Sequence, residues 1–414
     1  MVNLKDKLKY YHPVDQPETG NDTELAPHRR VPEHWQALAA GSGGQILRES
    51  SGYYYYCQRL YDLGSDPQFD ELKEKGGILE NLERLAPELS GQSVEIQNVL
   101  FFDLETSGLS GGTGTMAFLI GAAHVRMDQI VVHQWVMPDF SDEHLILDHF
   151  NKLLENFDYI STFNGKSFDA PLLKSRYILN QLIPEMEDKI HIDLLHISRR
   201  LWKKRLQSCR LQNLEKEILG EERVEDIPGA LIPSIYFSFL YGNGLEEFKK
   251  VLEHNYLDLV NLIRIGLLLE YQLAAPVHRI PETTDFLELI RFLKKQKQSD
   301  LIFELLEGRM ETDQGHLLVF EMALALKKRK EFRSAAVLLQ KLVETSLHPP
   351  EVVEEYVKIL EHQLKDYATA LQLLERKLKA MEIFEQLHGQ KNPAAGKLSS
   401  RYRRIKLKLD KNST

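Results

Sequence analysis

The sequence predicts an α/β domain, a mixed five-stranded sheet flanked by helices, followed by an all-helical region. Three observations predict it. Apolar stretches of strand length at 99–105, 116–125 and 130–137 follow one another with no helical pattern between them. Helical and strand patterns then alternate as far as Leu269. After Pro276 the pattern becomes helical throughout. Consecutive strands followed by alternation give a sheet with antiparallel and parallel pairs.

Residues 1–94 read as an N-terminal extension, partly irregular. Pro13, Pro17, Gly20, Pro27 and Pro32 sit among polar residues and predict an extended lead. The run Tyr53-Tyr54-Tyr55-Tyr56 suits a strand packing on a neighbour, or a surface on which bases stack. Leu79, Leu82, Leu85 and Leu89 fit a short amphipathic helix. The main domain spans 95–272. Its first strand, Val99-Leu100-Phe101-Phe102, runs into Asp103-Leu104-Glu105 and turns at Thr106, Ser107 and Gly108. Gly111-Gly112-Thr113-Gly114 leads to the second strand, and Met127-Asp128-Gln129 is a connection of hairpin length to the third. Residues 143–157 are helical through Leu145, Ile146, Phe150, Leu153 and Leu154. A strand at 159–163 precedes a helix at 168–179, whose first turn holds Asp169 and Pro171. A strand at 191–195 and helices at 211–219 and 248–269 complete the domain.

In 280–385, Leu305-Leu306, Leu338-Leu339 and Leu373-Leu374 recur at spacings of 33 and 35. Glu331-Phe332-Arg333-Ser334-Ala335 matches Asp366-Tyr367-Ala368-Thr369-Ala370. Helix pairs at this period resemble tetratricopeptide repeats. Residues 386–414 read as a basic tail, with Lys397, Arg401, Arg403, Arg404, Lys406, Lys408 and Lys411 forming a solvated tail or helix face, or touching phosphates.

The 414 residues suffice for two or more domains, and 43% hydrophobic with 27% charged is an ordinary globular balance. Cys57 and Cys209 form neither a disulfide framework nor a zinc spacing. The start, MVNLKDKLKYYHP, lacks the apolar core of a signal peptide. The longest apolar runs, such as 265–269, are too short to span a bilayer. A cytoplasmic protein with no membrane partner is the expectation. A net charge of −9 argues against coating nucleic acid, yet permits an enzyme that touches a few nucleotides.

Three blocks carry chemistry. On a strand Asp103 and Glu105 share a face, where two carboxylates repel unless a cation lies between them. Hard divalent cations such as Mg²⁺ or Mn²⁺ take oxygen ligands of this kind. The plain alternative is a strand end with two solvated acids. The second block is YISTFNGKSFD, residues 159–169, with a turn at Asn164-Gly165. Gly165-Lys166-Ser167 is not a phosphate-cradling P-loop, because Ile160 stands where that motif needs glycine. The third block is HNYLD, residues 254–258, in which His254 and Asp258 share a helix face.

FDLETSGL, FNGKSFD and HNYLD resemble the three motifs of the DEDD superfamily of 3′–5′ exonucleases, which have a ribonuclease H-like fold. IHIDLLHISRRLW and the intervening lengths match as well. Among subfamilies the chain is most similar to the bacterial YprB-type ribonuclease H-like proteins, in which a helical-repeat region can follow. The resemblance implies metal ligation by Asp103, Glu105, Asp169 and Asp258, with two Mg²⁺ or Mn²⁺ ions per active site. It places Thr106, Gly108 and Leu109 at the substrate end, and Asn164 at the second turn or the substrate. Relatives orient the attacking water with a His five residues before the last Asp, or a Tyr four before it. His254 stands four before Asp258, a histidine in the tyrosine register. It takes that catalytic role here, or is a packed histidine. Asp193 and Asn255 are assigned supporting roles beside the site. Lys166, Arg199 and Arg200 hold phosphates or are surface charge.

The leading expectation is a metal-dependent 3′–5′ exonuclease acting on a single-stranded DNA or RNA end, with a protein partner on the helical repeats. The alternatives are a non-catalytic ribonuclease H-like scaffold and a structure-specific endonuclease.

Overall fold

The computed structural model describes residues 29–64, 66–108, 114–344, 349–389 and 393–412. Leu109, the connection Gly111-Gly112-Thr113 and the expected lead from Pro13 to Pro27 lie outside the described residues. The chain divides into two units, Met1–Ala275 and Pro276–Thr414.

In the first unit the strands are β1 (Gln45–Glu49), β2 (Gly52–Asp62), β3 (Val99–Thr106), β4 (Ala117–Arg126), β5 (Gln129–Val136), β6 (Tyr159–Thr162) and β7 (Ile190–Asp193). They form one seven-stranded sheet in the order β1-β2-β5-β4-β3-β6-β7. β3 is antiparallel to β4 and parallel to β6, and β6 is parallel to β7, so the sheet is mixed. The expected five strands are therefore corrected to seven. The two added strands come from the stretch read as an extension outside the domain. β1 and β2 form a hairpin, and β2 pairs with β5 from Tyr55↔Val136 to Asp62↔Gln129. Tyr53, Tyr54 and Tyr55 are buried, so this run packs rather than offering its rings to bases.

The leucines at 79–89 are buried as their spacing suggests, but not on one helix. Short 3-10 turns at Leu82–Arg84 and Pro87–Leu89 carry Leu82 and Leu89, while Leu79 and Leu85 lie outside them. Pro87 cannot continue a preceding helix. The exposed backbone donors are met from elsewhere: Asn81 and Leu82 donate to the Glu270 carboxylate at 3.0 and 2.9 Å.

Helices α1 (Glu33–Ser42), α2 (Pro67–Glu74), α3 (Glu143–Leu154), α4 (Asp169–Leu179), α5 (Leu194–Trp202), α6 (Leu211–Leu214), α7 (Ile232–Leu240) and α8 (Leu245–Ala274) surround the sheet. α8 is 30 residues long and packs on β3, β4 and β5. Its N-terminal end sits in an aromatic layer, with Phe248 stacked on Phe239 at 4.3 Å and Trp35 against Phe239 at 4.8 Å. Phe102 of β3 meets Phe150 of α3 at 5.5 Å. Apolar cover from several helices explains why β3 is buried along Val99–Phe102.

The second unit holds α9 (Pro276–Arg279), α10 (Thr283–Lys295), α11 (Ser299–Met310), α12 (His316–Lys328), α13 (Phe332–Glu344), α14 (Pro350–Ile359), α15 (Tyr367–His388) and α16 (Ala395–Asn412). Leu306, Leu339 and Leu374, the second leucine of each repeated pair, are fully buried, as are the matched Ala335 and Ala370. The basic run lies on a helix. α16 buries Leu398 and Ile405, and its Arg401, Arg404 and Lys408 all pair with Glu361. A buried carboxylate needs such partners, which draws the charge run onto the helices. No helix among the described residues is long and apolar enough to cross a membrane.

Candidate metal centre

β3 carries Asp103 and Glu105 to the end of a buried strand, on the face opposite the buried Leu104. The third block lies on α8, which crosses this part of the sheet. Opposite Asp103 the register places Gly121 of β4. A Cβ there would stand 2.1 Å from Asn255 Oδ1, so only glycine leaves room for Asn255. Asn255, fully buried, donates to Asp103 Oδ2 at 3.0 Å and accepts from Gln134 Nε2 at 2.9 Å.

Glu105, His254 and Asp258 each offer a ligand atom, and these atoms lie within 4.8 Å of one another. His254 Nε2 is 4.0 Å from Glu105 Oε1 and 3.5 Å from Asp258 Oδ2. Its Nδ1 donates to Asp226 Oδ1 at 2.7 Å, which leaves Nε2 facing the two carboxylates. His254 thus faces the acids and not the helix surface, one turn from Asp258 on α8.

The acids are short of positive charge. Burial pushes Asp103 well above the usual carboxylate range, and the charges of Asp258 and Asp169 push it further. Burial raises Glu105 likewise, followed by the charges of Asp103, Asp258 and Asp169. Asp169, in the first turn of α4, is pushed up by burial to about 7. The cation that the fold supplies is Arg223. It bonds Glu215 through Nε at 2.6 Å, touches Asp226 at 3.3 Å and pairs with Asp258. Asp226 would be raised by burial, but His254 and Arg223 hold it below the usual range.

Arg223 and Asp226 belong to the loop 220–228 and were not among the residues expected from sequence. Gly220, at φ 73, ends a π turn at Glu215–Leu219 and starts that loop. The expected helix at 211–219 is thus α6 continued as the π turn, a form common near functional sites. Glu215 on it is buried and holds Arg223 in place.

The second block is set by Asp193. Its carboxylate accepts from the backbone of Asn164 at 2.8 Å, Lys166 at 3.2 Å and Leu195 at 3.1 Å. Asn164 takes φ 72, a left-handed conformation that asparagine tolerates. At Gly165 a Cβ would strike Thr162 at 2.5 Å. This tight turn aims the start of α4, and hence Asp169, at the β3 acids. Other expected contacts are already engaged. Thr106 Oγ1 donates to the Gly108 carbonyl at 2.9 Å, Lys166 pairs with Glu88 at 3.0 Å, and Arg200 bonds the Leu85 carbonyl.

Asp103, Glu105 and Asp169 have carboxyl pKa values raised for want of charge, and Glu105 faces Asp258 across the His254 imidazole. Clustered carboxylates of this kind are the donor set of a hard divalent cation. On this sheet they define a ribonuclease H-like domain of nuclease type. Residues 100–269 match the RNase_H superfamily, and the chain belongs to it. It is 33% identical over 318 residues to the uncharacterized protein YprB of Bacillus subtilis (strain 168), spanning 75% of this chain and 76% of that relative.

Proposed function

We propose that the chain is a divalent-metal-dependent nuclease that removes nucleotides from the 3′ end of a single strand. The observation that carries this reading is the charge-deficient cluster of Asp103, Glu105 and Asp169 beside Asp258 and His254. Asp103, Glu105, Asp169 and Asp258 hold Mg²⁺ or Mn²⁺, two per site, supplying charge for the phosphoryl oxygens and acidifying water. His254 takes the proton of the attacking water at Nε2, while Asp226 holds the ring and its tautomer at Nδ1. Asn255 fixes the Asp103 carboxylate, and Asp193 fixes the turn that delivers Asp169. Gly108 and Leu109, with Thr106, meet the substrate end.

The test is hydrolysis of end-labelled linear and circular oligonucleotides, DNA and RNA, with Mg²⁺, Mn²⁺ or EDTA. Stepwise loss from the 3′ end with either metal is expected. Cleavage of the circles would instead make the chain an endonuclease, and no cleavage of any substrate would retire the reading.

The ion pair between Arg223 and Asp258 favours a second reading, a non-catalytic platform whose site is neutralised by its own arginine. In that case metal leaves the melting temperature unchanged. On either reading, we propose that 280–385 are tetratricopeptide-like repeats that dock a protein partner. The equivalent burial of Leu306, Leu339 and Leu374 supports the repeat.

A further inference from the structure

The run 199–205 holds Arg199, Arg200, Lys203, Lys204 and Arg205 in a chain whose net charge is −9. Local concentration of cations in an acidic protein calls for a use. Arg200 bonds the Leu85 carbonyl, and Lys204 and Arg205 have partners within the fold. Arg199 and Lys203 are different. They lie one turn apart at the end of α5, both exposed, and neither has an ion pair or side-chain hydrogen bond among the described residues. Both line a cleft of about 650 Å³ together with Phe163, Asn164, Leu195 and Arg210. Arg210 is exposed and its guanidinium is likewise unpaired among the described residues.

The cleft reaches the candidate centre on two sides. Asn164 in its wall belongs to the turn that Asp193 holds in front of Asp169. Arg210 is shared with an adjoining cleft, whose wall includes Arg223 and Asp226 beside His254. Three unpaired cations therefore line one cleft, and the cleft that adjoins it carries Arg223 and Asp226 of the acid cluster. A polyanion is attracted to such a cleft, while the acids admit a phosphate only where cations neutralise them.

We propose that this cleft is a binding track for the phosphodiester backbone of a single nucleic-acid strand. Arg199, Lys203 and Arg210 hold successive phosphates next to the one at the centre. The track rests on the nuclease reading for its direction, but its binding of phosphates is a property of the cleft alone. Phe163 in the wall offers a ring to a base without reading its identity. Recognition is consequently of backbone charge, and DNA and RNA strands are both accepted.

The experiment measures binding of a short fluorescent single-stranded oligonucleotide, DNA and RNA in parallel, to the full chain in EDTA across a salt series. Arg199→Glu, Lys203→Glu and Arg210→Glu are compared with wild type and with Lys152→Glu, an exposed lysine on α3 that pairs with Asp148 and gives the same charge change. Each track variant should weaken binding about tenfold or more and lower the slope of log affinity on log salt by about 0.7. The neutral Arg199→Gln should fall between, and Lys152→Glu should stay near wild type. Uptake of Mn²⁺, read as a melting shift, scores the acid cluster separately. Unaltered oligonucleotide affinity in the track variants, or a wild-type chain that binds no oligonucleotide, overturns the track even where the Mn²⁺ shift is intact. Loss of affinity confined to the three track positions, with no Mn²⁺ shift in wild type, upholds the track and removes the metal centre instead.

Discussion

One buried acid and one cluster of half-buried acids lie in this chain, and the fold treats them in opposite ways. Glu361, in the second unit, is inaccessible and meets Arg401, Arg404 and Lys408 at 3.1, 2.7 and 2.7 Å. Burial alone would raise its pKa, but Arg404 and Lys408 hold it at about 2. In the first unit Asp103, Glu105 and Asp169 share little cation and are all raised. One carboxylate with three cations is a finished structural joint. Several carboxylates short of cations are an unfinished one, and a divalent ion is the reagent that completes it. The difference teaches that burial of acid is not by itself a sign of function. What matters is whether the protein supplies the opposing charge.

The largest expected effect breaks the comparison at its reactive end. Asp103→Asn or Asp258→Asn should abolish hydrolysis, because losing a shared ligand destroys the geometry of the ion pair rather than loosening it. Circular dichroism should show the fold retained. Wild-type turnover in either variant would put the chemistry elsewhere. Next in size is His254→Ala, expected to lower turnover by about 10² to 10⁴ while Mn²⁺ uptake changes little. Asp226→Asn should fall in the same direction by less, since it leaves the imidazole in place but disturbs its tautomer. Full activity in His254→Ala would make the histidine a packing residue. At the other end, Glu361→Gln should destabilise the second unit by about 1–3 kcal/mol, by removing charge-assisted hydrogen bonds from partly exposed partners. Mn²⁺ uptake should not notice it. A Glu361→Gln chain as stable as wild type in urea would mean that the joint holds nothing.

The sequence made the reactive acids legible because their spacing follows from local geometry. Asp103 and Glu105 sit on one face of a strand, His254 and Asp258 on one face of a helix, and both periodicities can be read without knowing the fold. The register of distant strands cannot be read that way. Residues 53–56 looked like a strand, but nothing local says that Tyr55 pairs with Val136. Arg223 and Asp226 were invisible for a related reason. They lie on a loop with no period, and their role comes from Glu215 and His254, which bring them to the site from two other elements. α5 was hidden behind an expected strand at 191–195, although Asp193 caps that helix by accepting from Leu195. The basic run at 397–411 reads as a solvated tail or helix face, and it lies on α16 with most of its cations exposed. Glu361, more than thirty residues upstream, is what folds it down.

The smallest expected effect is also the one that tests both acid groups at once, through the sign of their pH dependence. Glu361 is ordinarily near 4.5 and lies at about 2 in the fold. Its contribution is therefore present above about 4.5 and is lost as pH falls toward 2. Asp169 is ordinarily near 3.8 and lies at about 7 in the fold, with Asp103 and Glu105 raised as well. Between those limits the folded chain keeps protons that the unfolded chain has released. Stability from the first unit is then present at low pH and lost as pH rises through about 7. In EDTA, melting temperature should fall at both ends of the range, and the variants should divide the two effects. Glu361→Gln should flatten the acid limb alone, and Asp169→Asn the neutral limb alone. Saturating Mn²⁺ should reverse the neutral limb, because metal binding releases the retained protons and grows stronger as pH rises. A neutral limb that is flat in EDTA and unmoved by Mn²⁺ would mean that Arg223 already completes the centre, and that the two acid groups do not differ after all.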